Sequence, residues 1–469
     1  MASTKRVIID TDPGVDDVLA MLLAFSASPE EIQVLLLSIT FGNVDRQSCL
    51  RNVVSTFHII DRDLEWRRQN GRPEGFESLK NCRPKVAIGA EEPLEEQLVL
   101  ADYFQMDWAV FIQVCGNAVV HMRRLVTDVG TQHPHLSPDE TWTSLFQRSP
   151  GQAGPGEVAE AVKKLDSFFE PSHIPAHQEI LRLLRENEPD TITIIAVGPL
   201  TNLALAAAED TETFLRAKEI VVMGGAIDME GNINPVAEFN TCADAVAAAR
   251  VFALTSYNPS STFPPTAPAG SQRHEKASLP SYPATLSRPL NLTLFPLDVT
   301  TSHCLRRADF EQVTKPLIAA GSPLAEWVDG FLSPTLRHTE TSYSRVGGLP
   351  LHDPLCIWYI LTHSLPTWQP SAQSPEDIRI ETAGQWTRGM CVVDRRGKPK
   401  AQAPIPQSSS STASSSAAAT TAKTPPTIPG DTDNWLAANV GNRIRRMVGT
   451  PGADVFGPYL LKRVFGVET

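Results

Sequence analysis

The sequence predicts an α/β fold: an open, mostly parallel β-sheet flanked by helices. Short apolar segments typical of buried strands alternate along the chain with segments whose apolar residues recur at helical spacing. Polar or glycine-rich residues follow the strand-like segments. The hydrophobic fraction of 42% and the charged fraction of 20% are those of a globular protein with a substantial core. Alternation of this kind favours parallel strands joined by helical crossovers.

Individual elements can be placed on the chain. Strands are expected at 7–9, 34–39, 191–196, 220–223 and 292–297, and helices at 18–25, 200–208, 244–253, 355–361 and 454–465. The carboxyl ends of parallel strands meet at one edge of a sheet, which is where open α/β sheets bind ligands. We therefore expect the polar residues that follow the strands to form one site.

Three segments interrupt this pattern within a predicted single domain of residues 1–469. Residues 105–129 are an atypical insertion, because they form an apolar run where the flanking segments imply a loop. Residues 255–289 are rich in Pro and Ser and are predicted to be a surface insertion. Residues 399–430 are low-complexity Ser, Ala, Thr and Pro, which cannot bury enough apolar area to become ordered. Globular character resumes at 431, so the last segment is expected to be an internal disordered loop.

Bulk properties narrow the class of protein. The formal net charge of −12 argues against nucleic acid as a partner. No apolar stretch approaches the ~20 residues that cross a bilayer, and the first residues run directly into a strand, so neither a membrane span nor a signal peptide is expected. The seven cysteines are odd in number and form no CxxC pair, which favours reduced, packed thiols in a cytoplasmic protein.

The most specific signal is a run of four carboxylates within eight residues, Asp10, Asp12, Asp16 and Asp17. It lies between an apolar strand and an apolar helix. Helix capping explains one or two acids at such a place but not four, so we interpret the run as a site for Ca²⁺ or Mg²⁺. Asp16 and Asp17 are expected in the first helical turn, where the helix dipole favours anions and lowers their pKa.

Six further polar or sulfur-containing residues follow later strands or precede later helices: Asn43, Met223, Glu238, Asn240, His352 and Asp353. Taken alone, each has an ordinary structural explanation. Asp353 is explained as a helix N-cap, Glu238 and Asn240 as partners of local backbone, and Met223 as core packing. The set is informative only in combination.

In combination, the motifs resemble the inosine-uridine-preferring nucleoside hydrolase family. They are DTDPGVDD (10–17), TFGNV (40–44), VGPLTNLALA (197–206), VVMGGA (221–226), GNINPVAEFN (231–240), LDVT (297–300), HDP (352–354) and ETAGQWTRG (381–389). The resemblance implies a calcium-dependent N-ribosyl hydrolase that releases ribose and a free base from ribonucleosides by attack of a metal-bound water. It also implies a role in purine and pyrimidine salvage and a homodimeric or homotetrameric assembly.

The resemblance assigns roles residue by residue. Calcium would be held by Asp12, Asp17, Asp353 and the backbone carbonyl of Val197. The ribose would be contacted by Asp16, Asn43, Met223, Glu238 and Asn240. Asp12 would also activate the attacking water, and His352 would lie beside the nucleobase and assist its departure. The family commonly has Thr at position 197, and Val can replace it because the ligand is a carbonyl. Asp10 would contact the residues that hold the metal rather than the metal itself.

Two other functions remain open at this point. The family usually continues after residue 104 with a His-Gly loop, which residues 105–129 replace here. We hypothesise a foreign insertion, such as translated intron sequence; the alternative is a folded, lineage-specific loop. An altered loop would favour a catalytically impaired nucleoside-binding protein. The strand followed by Asp10-x-Asp12 is also similar to haloacid-dehalogenase-like phosphatases, with Asp10 as nucleophile and Asp12 as acid, but that class leaves Asp16 and Asp17 without a role.

Overall fold

A computed structural model of the chain describes residues 4–101, 146, 168–264, 279–342, 347–397, 430–437 and 440–467. The predicted insertion at 105–129 lies outside the described residues, as do the middle of the 255–289 insertion and nearly all of the low-complexity tract. Among the described residues, no helix combines the length and apolarity that crossing a bilayer requires. The division into one domain with three inserted segments stays a prediction.

Thirteen strands are found in the described part of the chain. They are β1 (Lys5–Thr11), β2 (Ile32–Ile39), β3 (Lys85–Ile88), β4 (Glu170–Pro171), β5 (Ile192–Ala196), β6 (Glu219–Met223), β7 (Leu292–Phe295), β8 (Cys304–Leu305), β9 (Leu349–Pro350), β10 (Gln369–Pro370), β11 (Ile378–Ile380), β12 (Cys391–Val393) and β13 (Arg445–Gly449).

Nine of these strands form one sheet, in the order β10-β13-β7-β6-β5-β1-β2-β3-β4. The pairings from β13 through β4 are parallel, and only the edge strand β10 is antiparallel to its neighbour. Two antiparallel pairs, β8 with β9 and β11 with β12, lie apart from it. The predicted fold class, an open and mostly parallel sheet, is confirmed.

The helices in the described part are α1 (Val15–Phe25), α2 (Arg46–Gln69), α3 (Glu77–Asn81), α4 (Ala176–Glu186), α5 (Thr201–Glu209), α6 (Thr211–Phe214), α7 (Phe239–Ala243), α8 (Ala245–Ala253), α9 (Leu297–Thr300), α10 (Arg307–Ala319), α11 (Pro323–Ser342), α12 (His352–Thr362) and α13 (Ala453–Phe465). Short 3₁₀ turns occur at Pro259–Ser261 and Thr432–Asn434. All five predicted helices are present.

The sheet is buried on both faces, which explains why its strands are almost continuously apolar. Successive side chains of a strand point to opposite faces, and β1 shows this directly. Val7 and Ile9 belong to a core that includes α1, α2 and α10 to α13, whereas Ile8 belongs to a second core formed with α4, α5, α6 and α8. The sheet is therefore the middle layer of three, and β1 lies near its centre.

Several predicted boundaries differ from the observed ones, and a proline lies at two of them. The strand predicted at 292–297 ends at Phe295, because Pro296 takes the N-cap position of the short helix α9. The helix predicted at 355–361 begins at His352, with Pro354 inside its first turn, where the missing N–H needs no partner. His352 and Asp353 are thus first-turn residues of α12, and Asp353 is not an N-cap.

Candidate active site

The carboxyl ends of β1, β2, β5 and β6 lie side by side. Asp10 is level with Ser38 on β2 and with Ala196 on β5, and Ala196 is level with Val222 on β6. The residues that follow these strands therefore meet at one edge, as predicted from the sequence. The acidic run after β1 lies at the middle of this edge.

Asp10 is fully buried below the site. Its Oδ1 accepts hydrogen bonds from the Ser38 hydroxyl and from the Asn202 amide at 2.9 Å. The Asn202 amide nitrogen also lies 3.3 Å from the carbonyl of Ile39, and its Oδ1 accepts the Ala90 N–H at 2.8 Å. Burial outweighs these bonds and raises the pKa of Asp10 to about 7. This network joins β1, β2 and α5 and supports the residues that follow.

Asp12 is held tightly by its neighbours but keeps one oxygen free. Its Oδ2 accepts the backbone N–H of Asn43 at 2.6 Å. Its Oδ1 is buried and has no hydrogen-bond partner among the described residues. Gly198 makes this packing feasible, because a Cβ there would lie 2.5 Å from that oxygen. Burial, and then the nearby charge of Asp17, raise the pKa of Asp12 well above its usual range.

Asp17 is the most fully bonded of the acids. It accepts hydrogen bonds from the Thr11 hydroxyl, the Gly14 N–H at 3.1 Å and the Asn43 side-chain amide at 2.8 Å. The bond to Gly14 also satisfies the first turn of α1, so capping accounts for part of this residue's role. Asn43 donates to both Asp12 and Asp17 and so fixes them relative to each other.

Asp16, Asp17 and Asp353 form an acidic group at the first turns of α1 and α12. Each offers a carboxylate oxygen, and these atoms all lie within 4.8 Å of one another. No Lys or Arg pairs with them in the part of the chain that the structure describes. Burial, and then the charge of Asp17, raise the pKa of Asp16 to about 7, and burial followed by Asp16 raises that of Asp353.

The predicted lowering of the pKa of Asp16 and Asp17 by the helix dipole is wrong. Both pKa values are raised, because burial of closely spaced carboxylates destabilises their charged forms more than the helix N-terminus stabilises them. A bound cation would offset this repulsion. The donor atoms are all oxygens, the type that Ca²⁺ and Mg²⁺ prefer, and the free Oδ1 of Asp12 adds another nearby. The acidic residues therefore fit a hard divalent cation.

The acidic group of Asp16, Asp17 and Asp353 differs from the set of calcium ligands that the family resemblance implies. Asp17 and Asp353 belong to both, whereas Asp16 takes the place in this group that was expected for Asp12. The carbonyl of Val197 accepts the Asn240 amide at 2.8 Å. Asp12 is still close enough for its charge to raise the pKa of Asp353. Which carboxylates ligate the metal stays a prediction.

A cavity of about 250 Å³ opens next to the acidic group. Every candidate site residue lines it except the fully buried Asp10, Asp12 and Asp17. The complete lining is Asp16, Asn43, Ala101, Val197, Met223, Asn232, Ile233, Glu238, Phe239, Asn240, Leu349, Pro350, His352 and Asp353. The tertiary fold thus brings together residues that are more than 300 positions apart in sequence.

Glu238 combines a structural and a site position. It is the N-cap of α7, and its carboxylate accepts the backbone N–H groups of Gly225 at 2.8 Å, Asn240 at 2.7 Å and Thr241 at 3.0 Å. The local-backbone explanation is therefore correct for Glu238, and the residue lines the cavity as well. Burial raises its pKa despite these bonds. The Asn240 amide donates to the Val197 carbonyl, which fixes its orientation.

His352 also lines the cavity, from the first turn of α12. Its Nδ1 is 2.6 Å from the hydroxyl oxygen of Thr300, at the end of α9. Burial, and then the neighbouring His303, lower the pKa of His352 to about 4, so the ring is neutral at physiological pH. The expected assistance to the departing base would therefore come from a neutral ring rather than from an imidazolium.

Several residues of the site were not identified from the sequence. Asn232, Ile233 and Phe239 lie within the GNINPVAEFN motif, so that motif was the available signal. Of the supporting residues, Asn202 and Thr300 lie within the motifs at 197–206 and 297–300, whereas Ser38 carries no signal of its own, because a Ser in a strand is ordinary. Their function appears only when the partner across the site is known.

A family model for the inosine-uridine preferring nucleoside hydrolases matches residues 7–417. The chain belongs to this family. This nucleoside hydrolase is 28% identical over 393 residues to the pyrimidine-specific ribonucleoside hydrolase RihA of Klebsiella pneumoniae (strain 342), covering 83% of this chain and 88% of that protein. It is 30% identical over 249 residues to uridine nucleosidase 1 of Arabidopsis thaliana, which covers 53% of each chain.

Solved nucleoside hydrolases share the fold. The plant nucleoside hydrolase PpNRh1 aligns over 99% of both chains with a TM-score of 0.59 and 19% identity. A purine-preferring ribonucleoside hydrolase from Gardnerella vaginalis aligns over 98% of both chains with a TM-score of 0.58 and 17% identity. Family membership makes the chain an N-glycosidase of small ribonucleosides, in a metal-dependent family, and the acidic group is a place that could bind the metal.

Proposed function

We propose that this nucleoside hydrolase binds Ca²⁺ at the acidic run and cleaves the N-glycosidic bond of ribonucleosides, providing ribose and free bases for purine and pyrimidine salvage. One observation carries the proposal: the acidic group of Asp16, Asp17 and Asp353, with which no described Lys or Arg pairs, lies beside a cavity that Glu238 and His352 also line. Hydrolysis of a ribonucleoside needs these groups together, namely a cation site, polar groups for a sugar and a donor for the base.

Asp12, Asp17, Asp353 and the Val197 carbonyl are the proposed calcium ligands. An all-oxygen donor set supports Ca²⁺ or Mg²⁺ over softer metals, and Ca²⁺ accepts about 6 to 8 ligands in flexible geometry. Asp16 lies within reach of the same ion, since its oxygen belongs to the acidic group. When bound, the cation neutralises the carboxylates and makes a coordinated water more acidic.

Asp12 is the proposed general base. Its Oδ1 has no other hydrogen-bond partner among the described residues, so it is available to take a proton from water. The water oxygen bonds to C1′ of the ribose and one water proton goes to Asp12. The electrons of the C1′–N bond leave with the base, which must be stabilised or protonated.

The ribose is proposed to lie against Asp16, Asn43, Glu238 and Asn240. Positive charge develops on the sugar as the bond breaks, as in other glycosidic transition states. The Glu238 carboxylate, fixed by three backbone N–H groups, is a rigid negative group at the cavity wall. Such a preorganised charge stabilises the transition state without moving. Met223 contributes an apolar contact to the sugar.

The nucleobase is proposed to lie beside His352, among the apolar side chains of Ile233, Leu349 and Pro350. Because the Klebsiella and Arabidopsis relatives are named for pyrimidine ribonucleosides and uridine, uridine is the first substrate to test, with inosine beside it. Six free cysteines in the described part of the chain support a cytoplasmic enzyme. A homodimer or homotetramer is the assembly we propose from the family.

A reducing-sugar assay on the purified protein tests this function directly. Uridine, cytidine, inosine and p-nitrophenyl phosphate are incubated with Ca²⁺, with Mg²⁺ and with a chelator. Free ribose that requires Ca²⁺ is the expected result. Release of phosphate alone would favour the phosphatase, and nucleoside binding without ribose release would favour the impaired binding protein.

The Asp12→Asn variant tests the general base. The change keeps the size of the side chain and removes its ability to accept a proton. We expect kcat for ribose release to fall by at least about 10³-fold, within the range general bases contribute. The matched control is Asp45→Asn, which removes an exposed carboxylate at the N-cap of α2 and should leave kcat unchanged. An Asp12→Asn enzyme with full activity would contradict the assignment.

A further inference from the structure

The ring of His352 is fixed from one side by a single threonine. The Thr300 hydroxyl oxygen lies 2.6 Å from Nδ1, and Thr300 is completely buried. Among the described residues, the other ring nitrogen, Nε2, has no hydrogen-bond partner. His352 is partly exposed and lines the cavity. The ring therefore has one nitrogen committed to the protein and one available to a ligand.

The backbone around these two residues is held by the same turn. Leu351, directly before His352, donates its N–H to the carbonyl of His303 at 2.7 Å, and His303 donates to the carbonyl of Thr300 at 3.0 Å. The antiparallel pairing of β8 with β9 continues directly from this contact. His303 is itself tied to Thr450 at 2.8 Å. Thr300 and His352 are thus fixed relative to each other by backbone as well as by side chains.

The contact also bears on where the ring proton lies. A neutral imidazole carries its proton on one nitrogen and accepts at the other. The Thr300 hydroxyl has one hydrogen-bond partner among the described residues, His352 Nδ1. When the hydroxyl donates in this contact, the ring proton lies on Nε2. In that tautomer His352 presents a donor to the cavity, which is the form that a departing nucleobase requires.

We propose that Thr300 is a positioning residue that fixes both the rotamer and the tautomer of His352, so that Nε2–H donates a hydrogen bond to the leaving base. This rests on the proposed hydrolase function, since it assigns His352 to the base. Thr300 is buried and does not line the cavity, so its effect passes through the histidine ring. The competing explanation is that Thr300 only fills space beneath α12.

Two substitutions separate these explanations. Thr300→Val keeps the branched shape and removes the hydroxyl, whereas Thr300→Ser keeps the hydroxyl. With uridine we expect Thr300→Val to lose about tenfold in kcat, corresponding to about 1.4 kcal/mol, with KM changed less than twofold. Thr300→Ser should recover most of the loss. Thr301→Val is the matched control, because its hydroxyl lies 4.0 Å from the Met229 sulfur and not at the histidine.

A second substrate tests whether the effect passes to the leaving group. The nitrophenolate of p-nitrophenyl β-D-ribofuranoside departs as a stable anion and needs no donor. Thr300→Val should therefore cleave it within about twofold of the parent enzyme, and Thr300→Val combined with His352→Ala should be no slower on uridine than His352→Ala alone. Equal losses on both substrates, or additive losses in the double variant, would overturn the proposal.

A measurement independent of turnover completes the test. Nitrogen-15 NMR of histidine-labelled protein distinguishes protonated from unprotonated ring nitrogens, and the His352→Gln variant identifies the His352 signals. We expect the proton on Nε2 in the parent chain and a mixture of tautomers in Thr300→Val. A parent enzyme with its proton on Nδ1 would refute this inference, whereas absence of ribose release with the expected NMR pattern would refute only the hydrolase function.

Discussion

At the residue scale, the site depends on how closely backbone approaches Asp12. Gly198 follows β5 and faces the free carboxylate oxygen, and a methyl group at this position would lie 2.5 Å from that oxygen. The carboxylate cannot stay in place beside such a group, since real Cβ contacts are longer. The observed position of the Asp12 carboxylate therefore requires a glycine at position 198.

The Gly198→Ala variant should lose activity through this displacement. We expect kcat for uridine to fall by about 10²-fold, the cost typical of misplacing a catalytic group by roughly 1 Å. Steady-state ribose release is the measurement. Gly71→Ala is the control, since Gly71 has open space around it and a left-handed backbone (φ +63°), so that variant should lose some stability but keep kcat. Full activity in Gly198→Ala would show that Asp12 can move without consequence.

Asp244 is a buried acid outside the site, and it makes the free energy of unfolding depend on pH. It caps α8 through the Ala247 N–H at 2.9 Å and also accepts from the Thr201 hydroxyl and the Leu94 N–H. Burial raises its pKa from 3.8 to about 6. The folded state therefore binds this proton more tightly than the unfolded state does. Its contribution to stability is greatest below about pH 4, falls as pH rises to about 6, and is constant above.

The prediction concerns the difference in unfolding free energy between the parent chain and its Asp244→Asn variant. Urea unfolding at several pH values should show the parent gaining stability relative to the variant as pH is lowered from 7 to 4, by up to about 3 kcal/mol. Using the difference removes any constant effect of the amide on packing. A pH-independent difference would mean that Asp244 stays ionised in the folded chain.

At the element scale, helix α8 anchors the predicted insertion at 255–289. Arg250 on α8 lies over the rings of both Phe263 and Tyr282, at 4.6 and 4.9 Å from the ring centres, and donates to the Pro280 carbonyl at 2.6 Å. The two aromatic residues lie in the two described ends of the insertion. A single buried arginine thus joins both ends to the body of the protein.

The Arg250→Ala variant should release these ends. Each desolvated cation–π contact contributes up to about 2 kcal/mol, so we expect a loss of about 2 to 4 kcal/mol in unfolding free energy and faster hydrogen exchange at 279–283. Arg250→Lys keeps the charge but not the planar group. Its unfolding free energy should lie between those of the parent and of Arg250→Ala. Unchanged hydrogen exchange in Arg250→Ala would show that the insertion is held elsewhere.

At the whole-molecule scale, the acidic group opposes folding in the absence of a cation. Asp353 reaches Asp16 and Asp17 only because α12 packs against α1. Folding therefore forces these carboxylates together, and binding of a cation to the folded state alone stabilises it by RT ln(1 + [L]/Kd). Metal binding and the stability of the entire domain are coupled through this contact.

The Asp353→Asn variant tests this coupling, because its stability relative to the parent should change in opposite directions without and with Ca²⁺. In a chelator, Tm of the variant should exceed that of the parent, because one buried negative charge is removed. Adding Ca²⁺ at about 100 times Kd should stabilise the parent by about 2.7 kcal/mol and the variant much less. Differential scanning calorimetry measures both. A variant that is less stable in chelator yet responds fully to Ca²⁺ would place the cation elsewhere.

The C-terminal segment shows what chain order alone does not reveal. Strand β13 lies between β7 and β10, and helix α13 packs against β8, which pairs with the strand preceding His352. The sequence predicted the helix at 454–465 but gave no reason to place a strand at 445–449 beside residues 292–295. Sheet order depends on which strand edges are free, and that is a property of the assembled molecule.

The sequence by itself determined the fold class, the position of the acidic run at a strand end and the family. Local apolar runs and periodicity fix which segments are strands and helices, and the DTDPGVDD motif is contiguous, so both can be read without a structure. Only the tertiary structure decided that Asp16, rather than Asp12, completes the close group with Asp17 and Asp353, and that Thr300 lies against His352. Those contacts join residues tens to hundreds of positions apart, and their pKa shifts arise from burial that only the packed molecule provides.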